Sequence, residues 1–378
     1  MAGIYAHIPF CYTRCSYCDF YKTTDQSLKS SFINAICKEI LLQKDFFNID
    51  YIKTLYFGGG TPSVLTFTEW QIIFEYLRSN FDFTQIEEIT VEVNPDDVTQ
   101  EYIKGLHQLG VNRVSMGIQS FHDAHLRKMN RRHNAKQAHD AIRILKESSV
   151  NNVSIDLIYG LPYMSWDEWN RNIDLAIDAD VQHISAYHLT FEKGTPYYEL
   201  LKKGKLKELP EEVSFDQFEI LVKKLESAGF ENYEISNFAK PGLYSKHNSS
   251  YWTGEPYLGI GPSAHSFDGK IRRWNVRDLV GYSNKVTSGK GFWEDEILSP
   301  IDIYNERIML GLRTSKGFDY EFINQLTNSD LKVFAFREVE KQLKFGNIEV
   351  VDGWCKVTRD KKFITDRIIS DLFYVTED

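Results

Sequence analysis

Three cysteines within eight residues, Cys11, Cys15 and Cys18, constrain this chain more than any other feature. They lie in YAHIPFCYTRCSYCDFY, spaced CxxxCxxC, directly after a short alternating apolar run that reads as a strand. Thiolates are soft donors suited to iron–sulfur clusters and zinc, so this loop reads as a metal site. Clusters usually take four protein ligands, and no fourth cysteine lies nearby. Three ligands leave one iron open, where a bidentate small molecule can bind. Structural zinc ribbons instead carry paired CxxC knuckles, and no second pair exists. Cys37 and Cys355 have no plausible partner in the sequence and read as reduced thiols, in keeping with a reducing compartment.

The 378 residues, 42% of them hydrophobic, suffice for one large α/β domain plus a small appendage. Charges are mixed in sign, 44 basic against 53 acidic, for a net −9. Nucleic-acid affinity comes largely from Lys and Arg neutralising phosphates, so a nucleic-acid substrate is disfavoured. The N-terminus lacks the basic and apolar regions of a signal peptide, and no run approaches the roughly 18 apolar residues of a spanning helix. The expectation is a soluble, cytoplasmic protein.

Short apolar, β-branched runs alternate with segments of helical period up to about residue 190, which predicts βα units on a parallel sheet. Strands are expected at Ile4–Ile8, Ile52–Phe57, Glu88–Val93, Arg113–Gly117, Asn152–Tyr159 and His183–Leu189. Helices are expected at Leu28–Phe46, Thr68–Asn80, Thr99–Leu109, Asn134–Ser148 and Trp166–Asp178. Further on, Ser214–Ala228 reads as a helix, and Tyr233–Ser236 and Tyr257–Gly261 as strands. The Pro, Gly, Ser and Asn content of Phe238–Pro256 marks a loop. From about Pro300, helices followed by a hairpin around Asp352-Gly353 and a closing helix predict a small winged-helix-like domain.

Gly58-Gly59-Gly60-Thr61-Pro62 closes a strand, and successive glycines let a backbone approach a ligand closely. Glu92, Gln119 and Asp156 stand at or near the ends of candidate strands, and such positions converge on one mouth of a barrel. Arg131 offers a guanidinium fork suited to a carboxylate. His122, His125, His133 and His139 fall in a polar region and read as solvated or capping. His7 reads as a support for the cysteine loop, and His188 as a candidate cavity residue.

Taken together, HIPFC with CxxxCxxC, YFGGGTP, VEVNP and SMGIQSF resemble the radical S-adenosylmethionine (SAM) superfamily. Within it they are similar to the oxygen-independent coproporphyrinogen III oxidases and their relatives, the HemW-type heme chaperones, over nearly the whole chain. The resemblance implies an α/β fold built on a partial (β/α)6 TIM-like barrel. Residues 1–235 would form the barrel core, 236–299 a loop and extension, and 300–378 a small HemN-like C-terminal domain. It implies a [4Fe-4S] cluster on Cys11, Cys15 and Cys18, whose open iron chelates SAM and whose electron cleaves it to a 5′-deoxyadenosyl radical. The matching SAM contacts are Tyr5, Tyr17, Gly59, Gly60, Thr61, Glu92, Gln119, Arg131 and Asp156. HNxxYW, here His247 to Trp252, resembles the signature of the heme chaperones. A neutral imidazole can ligate heme iron, and Tyr251 and Trp252 offer flat apolar surface.

The oxidases carry CxxxCxxCxC, whereas Phe20 occupies the last position here, and their segment before the cluster strand is longer than the ten residues preceding Cys11. The expectation is therefore a heme chaperone that binds heme and passes it to respiratory hemoproteins, with peripheral contact to the membrane where such acceptors sit. A coproporphyrinogen III oxidase using the deoxyadenosyl radical is the alternative. Catalytic residues are not assigned, and both monomer and homodimer remain open.

Overall fold

The computed structural model describes residues 3–46 and 51–375. The first half alternates β1 (Gly3–Ile8), α1 (Lys29–Gln43), β2 (Thr54–Gly59), α2 (Phe67–Asn80), β3 (Glu88–Val93), α3 (Gln100–Gln108) and β4 (Arg113–Gln119). It continues through α4 (Asp123–Lys128), α5 (Ala135–Lys146), β5 (Asn152–Tyr159), α6 (Trp166–Asp178) and β6 (His183–His188). These strands pair parallel in chain order, β1 through β6. On β1, Ile4, Ala6 and Ile8 are buried on one face, while buried His7 and half-buried Tyr5 face the cavity. Helix starts are written locally: Thr66 with Glu69, Asn134 with Gln137 and Ser165 with Glu168 form capping boxes at α2, α5 and α6.

After β6 come α7 (Pro196–Lys202), α8 (Glu211–Ser227), β7 (Glu231–Glu234), β8 (Asn237–Ala239), α9 (Lys246–Trp252) and β9 (Tyr257–Ile260). β10 (His265–Phe267), β11 (Ile271–Asn275), α10 (Leu279–Ser288) and β12 (Trp293–Ile297) follow. The sheet grows at both edges. β8 and β7 add antiparallel beyond β6, while β9 lies parallel to β1 and carries β10, β11 and β12 outward, giving twelve strands in one sheet. The twelve-stranded sheet stays open, in keeping with a partial barrel.

The expected loop over Phe238–Pro256 is corrected: it contains the end of β8 and the whole of α9. Its helix depends on a distant partner, because the Glu88 carboxylate on β3 accepts from the backbone N–H groups of Lys246 and His247. The β9–β12 extension is secured the same way. Buried Glu39 on α1 accepts from Gly261 N at 2.7 Å and Asn275 Nδ2 at 2.5 Å, and from the Tyr282 hydroxyl. Burial pushes its carboxyl up to about 7.

The C-terminal part comprises α11 (Pro300–Leu312), β13 (Phe318–Asp319), α12 (Ser329–Lys344), β14 (Ile348–Val351), β15 (Trp354–Val357) and α13 (Thr365–Leu372). Its three-stranded sheet, β13-β15-β14, covers a separate core around Tyr304, Ile308, Leu331, Val339 and Ile369. Among the described residues no helix is long and apolar enough to cross a membrane.

Candidate metal and ligand site

One cavity of about 1390 Å³ opens at the C-terminal ends of the parallel strands, where barrel folds place ligands. Cys11, Cys15, Cys18, Tyr5, Tyr17, Gly59, Gly60, Thr61, Glu92, Gln119, Arg131, Asp156 and His247 all border it. At well above the roughly 300–1,000 Å³ of ordinary ligand pockets, it has room for more than one group.

The cysteine loop is held from both sides. Thr23 O accepts from Cys11 N at 2.9 Å, Met129 O from Ser16 N at 3.0 Å, and Arg14 O from Asn130 Nδ2 at 2.8 Å. Its three sulfurs border the cavity, a soft donor set that suits a thiolate-bound cluster. Burial pushes the Cys11 thiol up to about 11, while the Thr61 hydroxyl lies 3.3 Å from its Sγ. Bound metal would reverse that shift, since a coordinating thiol is deprotonated outright. Positive charge is already in place, with Arg131 Nη1 3.5 Å from Cys15 Sγ.

Arg131 is less free than its sequence suggests. Nη2 donates to Asn94 Oδ1 at 2.5 Å and to the Gly117 carbonyl at 2.6 Å, leaving Nε without a hydrogen-bond partner among the described residues. A buried, unpartnered N–H in a cavity wall is a ready donor to an incoming anion. Gln119 sits at φ +66°, where the β4–β5 register shifts between Met116 and Gln119. A bulge of this kind re-aims a side chain, and the left-handed backbone of a non-glycine residue marks stored strain. Gly117 makes the arrangement possible: a Cβ there would stand 2.9 Å from Gln119 Nε2 and 3.4 Å from Arg131 Nη2.

Glu92 accepts from Tyr56 Oη at 2.8 Å and Gly59 N at 3.3 Å, and Asp156 from Ser115 Oγ at 3.4 Å. Burial, with repulsion from Asp156, pushes Glu92 up to about 7, and burial pushes Asp156 up to about 6. Two such carboxyls favour a cationic ligand, whose charge would restore their ionisation. These observations fit SAM, which carries an ammonium, a sulfonium and a carboxylate.

Gly59 and Gly60 border the cavity, and the glycine run also makes close packing possible. A Cβ on Gly58 would meet Glu92, on Gly59 the His7 ring at 2.4 Å, and on Gly60 the Phe10 carbonyl at 2.7 Å. All three make room for the protein itself. Gly59, at φ +106°, also needs a backbone that other residues rarely adopt.

Two histidine expectations are corrected. His125 and His133 are buried, 1% and 2% exposed, because the turn after β4 packs under α6 and the Ile118 carbonyl meets His133 Nε2 at 3.1 Å. His247 is on α9 and 0% exposed. Its Nδ1 meets Thr54 Oγ1 at 2.8 Å and its Nε2 meets Tyr251 Oη at 2.8 Å, so both ring nitrogens are engaged. Burial drives its pKa down to about 3. Stacked rings connect it to the SAM-like end: His247 lies 5.2 Å from Tyr56, and Tyr56 6.1 Å from Tyr5. His188 does border the cavity, with Nε2 2.9 Å from Ser214 Oγ.

Sequence reasoning missed Tyr56, Asn94, Ser115, His265, Arg272 and Arg277, all of which line the cavity. The alternation of the strands could have found Tyr56 and Ser115. No local pattern points to His265, which is exposed on a strand that pairs only through the extended sheet.

Residues 5–176 match the family model of the radical SAM superfamily, and 298–353 that of the HemN C-terminal domain. The chain is 37% identical to the heme chaperone HemW of Bacillus subtilis over 84% of each chain. It is 34% identical to the heme chaperone HemW of Lactococcus lactis, over 88% of this chain and 86% of that protein. Among solved structures, coproporphyrinogen III oxidase (HemN) of Escherichia coli superposes with a TM-score of 0.85 at 23% identity, over 98% of this chain and 90% of that one. At that identity the superposition speaks to the fold alone.

Proposed function

Since this chain belongs to the radical SAM superfamily and, within it, to the family of the HemW heme chaperones, we propose that it binds heme and passes it to acceptor hemoproteins. The family implies a [4Fe-4S] cluster and SAM. In this proposal Cys11, Cys15 and Cys18 hold the cluster, which when bound supplies an electron to the SAM sulfonium. Tyr5, Tyr17, Gly59, Gly60, Thr61, Glu92, Gln119, Arg131 and Asp156 surround SAM. Glu92 and Asp156 hold its cationic groups, and the unpartnered Nε of Arg131 meets its carboxylate.

The observation that carries the heme reading is the single cavity running from the cysteine loop to α9 and the C-terminal part, far larger than SAM requires. Arg272 and Arg277 on its wall suit the propionate carboxylates of heme. His247 would ligate the iron by exchanging the Tyr251 hydroxyl at Nε2 for the metal while Nδ1 stays on Thr54. His265 favours a second reading, because it is exposed on the same wall and needs no such exchange. Phe20, 65% exposed at the cavity mouth, cannot replace the thiol of the oxidases, which argues against porphyrinogen decarboxylation. Acceptors are respiratory hemoproteins met in the cytoplasm or at the membrane surface, and the carrier acts as a monomer or homodimer.

A paired assay tests the proposal. Heme should produce a Soret change that His247→Ala weakens, and coproporphyrinogen III with SAM and reductant should yield no protoporphyrinogen. Efficient decarboxylation would overturn the chaperone reading. Tyr251→Phe separates the two histidines: releasing one hydrogen bond of about 1 kcal/mol from His247 should tighten heme roughly fivefold. Unchanged affinity in that variant, with loss in His265→Ala, would move the ligand to His265.

A further inference from the structure

We propose that His122, His125 and Glu168 form a second metal site, separate from the cysteine loop, that takes a divalent late first-row cation such as Zn²⁺. His122 and His125 stand three residues apart at the start of α4, so both rings project to one side, stacked with centroids 4.8 Å apart. Glu168, in the first turn of α6, faces them. His122 Nε2 lies 3.5 Å from Glu168 Oε1 and His125 Nε2 lies 3.4 Å from Oε2, and all the ligand atoms fall within 4.8 Å of one another. A tetrahedral centre with bonds of about 2.0–2.1 Å needs its ligand atoms roughly 3.3 Å apart, so little movement closes this site.

An independent observation points to a ligand. His125 is 1% exposed, and its Nε2, 3.4 Å from Glu168 Oε2, makes no well-aligned hydrogen bond among the described residues. On the far side of the ring, Nδ1 meets Ser120 Oγ at 3.1 Å, and Ser120 Oγ is itself held by Asn172 Nδ2 at 3.2 Å. Metal binding would select the tautomer that donates from Nδ1 to Ser120 and turns the Nε2 lone pair to the ion, the arrangement by which outer partners orient metal-bound imidazoles. Burial also holds this ring neutral, as ligation requires. Glu168 is equally fixed, since Oε2 accepts from Ser165 N at 2.8 Å and leaves Oε1 available. The side chain of His122 is 39% exposed, which provides entry and room for water at the remaining position. Lys128 adds positive charge nearby, so affinity rests on the Glu168 carboxylate.

The ion would tie α4 to α6. The residues that follow α4 hold the cysteine loop, through Met129 O and Asn130 Nδ2, and then supply Arg131. The second site would therefore brace the segment on which the first depends.

The test uses the cluster-loaded protein, prepared anaerobically and dialysed against Zn²⁺, with metal content and zinc X-ray absorption as readouts. A Cys11→Ser/Cys15→Ser/Cys18→Ser variant, run in parallel, removes thiol competition whether or not a cluster can be loaded. About one equivalent of zinc with nitrogen and oxygen neighbours at roughly 2.0–2.1 Å is expected in both. His122→Ala and Glu168→Gln should each weaken it at least tenfold, and the second variant keeps a polar cap at α6. No retained zinc, zinc with sulfur neighbours, or zinc indifferent to His122→Ala would overturn the proposal.

Discussion

Replacing His247 by Ala should destabilise the protein before any heme is added, and the size of the effect follows from its contacts. The imidazole joins α9 to β2 through Thr54 and closes on Tyr251, each at 2.8 Å, in a fully buried position. Losing two such hydrogen bonds costs about 1 kcal/mol each, with more for a hydroxyl left unsatisfied. Losing the stack on Tyr56 adds about 0.5–1.5 kcal/mol. The sum is about 3–4 kcal/mol. With an unfolding entropy near 2.1 cal/mol/K per residue, that lowers Tm by about 4–5 °C for a chain of this length. The assay is anaerobic thermal unfolding followed by circular dichroism, on protein without heme. Tyr251→Phe removes one of the two bonds and should lower Tm by only about 1–2 °C. A His247→Ala Tm within about 1 °C of the parent would refute the argument that this histidine fastens the helix. The comparison matters for function, because weaker heme binding in His247→Ala combines a lost ligand with a loosened α9, whereas Tyr251→Phe moves stability and heme affinity in opposite directions.

Cys15→Ala should abolish the cluster, read as loss of the visible iron–sulfur absorption in anaerobically reconstituted protein; a full cluster would remove the assignment. Gly117→Ala should push Gln119 and Arg131 out of place and weaken SAM roughly tenfold by calorimetry, as expected for loss of one charge-assisted hydrogen bond. The folded-state values of Glu92, about 7, and Asp156, about 6, lie above the usual carboxyl values of 4.5 and 3.8. Their contribution to the stability of ligand-free protein is therefore fully present below about pH 4 and lost as pH rises towards 7. Cationic SAM favours the ionised carboxyls, so its affinity should climb between pH 6 and 7.5 and then level off; a flat profile would count against these two as its partners.

The parallel half of the fold and several residues that border the cavity are legible in the sequence. Period and capping signals are local, so Glu88–Val93, Asn152–Tyr159 and Trp166–Asp178 match the expected segments residue for residue. The CxxxCxxC loop is likewise a local pattern, and Glu92, Gln119 and Asp156 border one cavity because strand ends in a parallel sheet share one edge. Tertiary structure decided what rests on distant partners. α9 forms where Glu88, more than 150 residues earlier in the chain, accepts its first N–H groups, so composition alone marks a loop. His247 is buried because Thr54, Tyr56 and Tyr251 close around it, and a polar stretch of sequence carries no sign of that. Spacing shows that His122 and His125 share a face, but only the packing of α4 against α6 brings Glu168 to them. Periodicity reports which face of an element is covered; which group from elsewhere covers it is set when the elements pack.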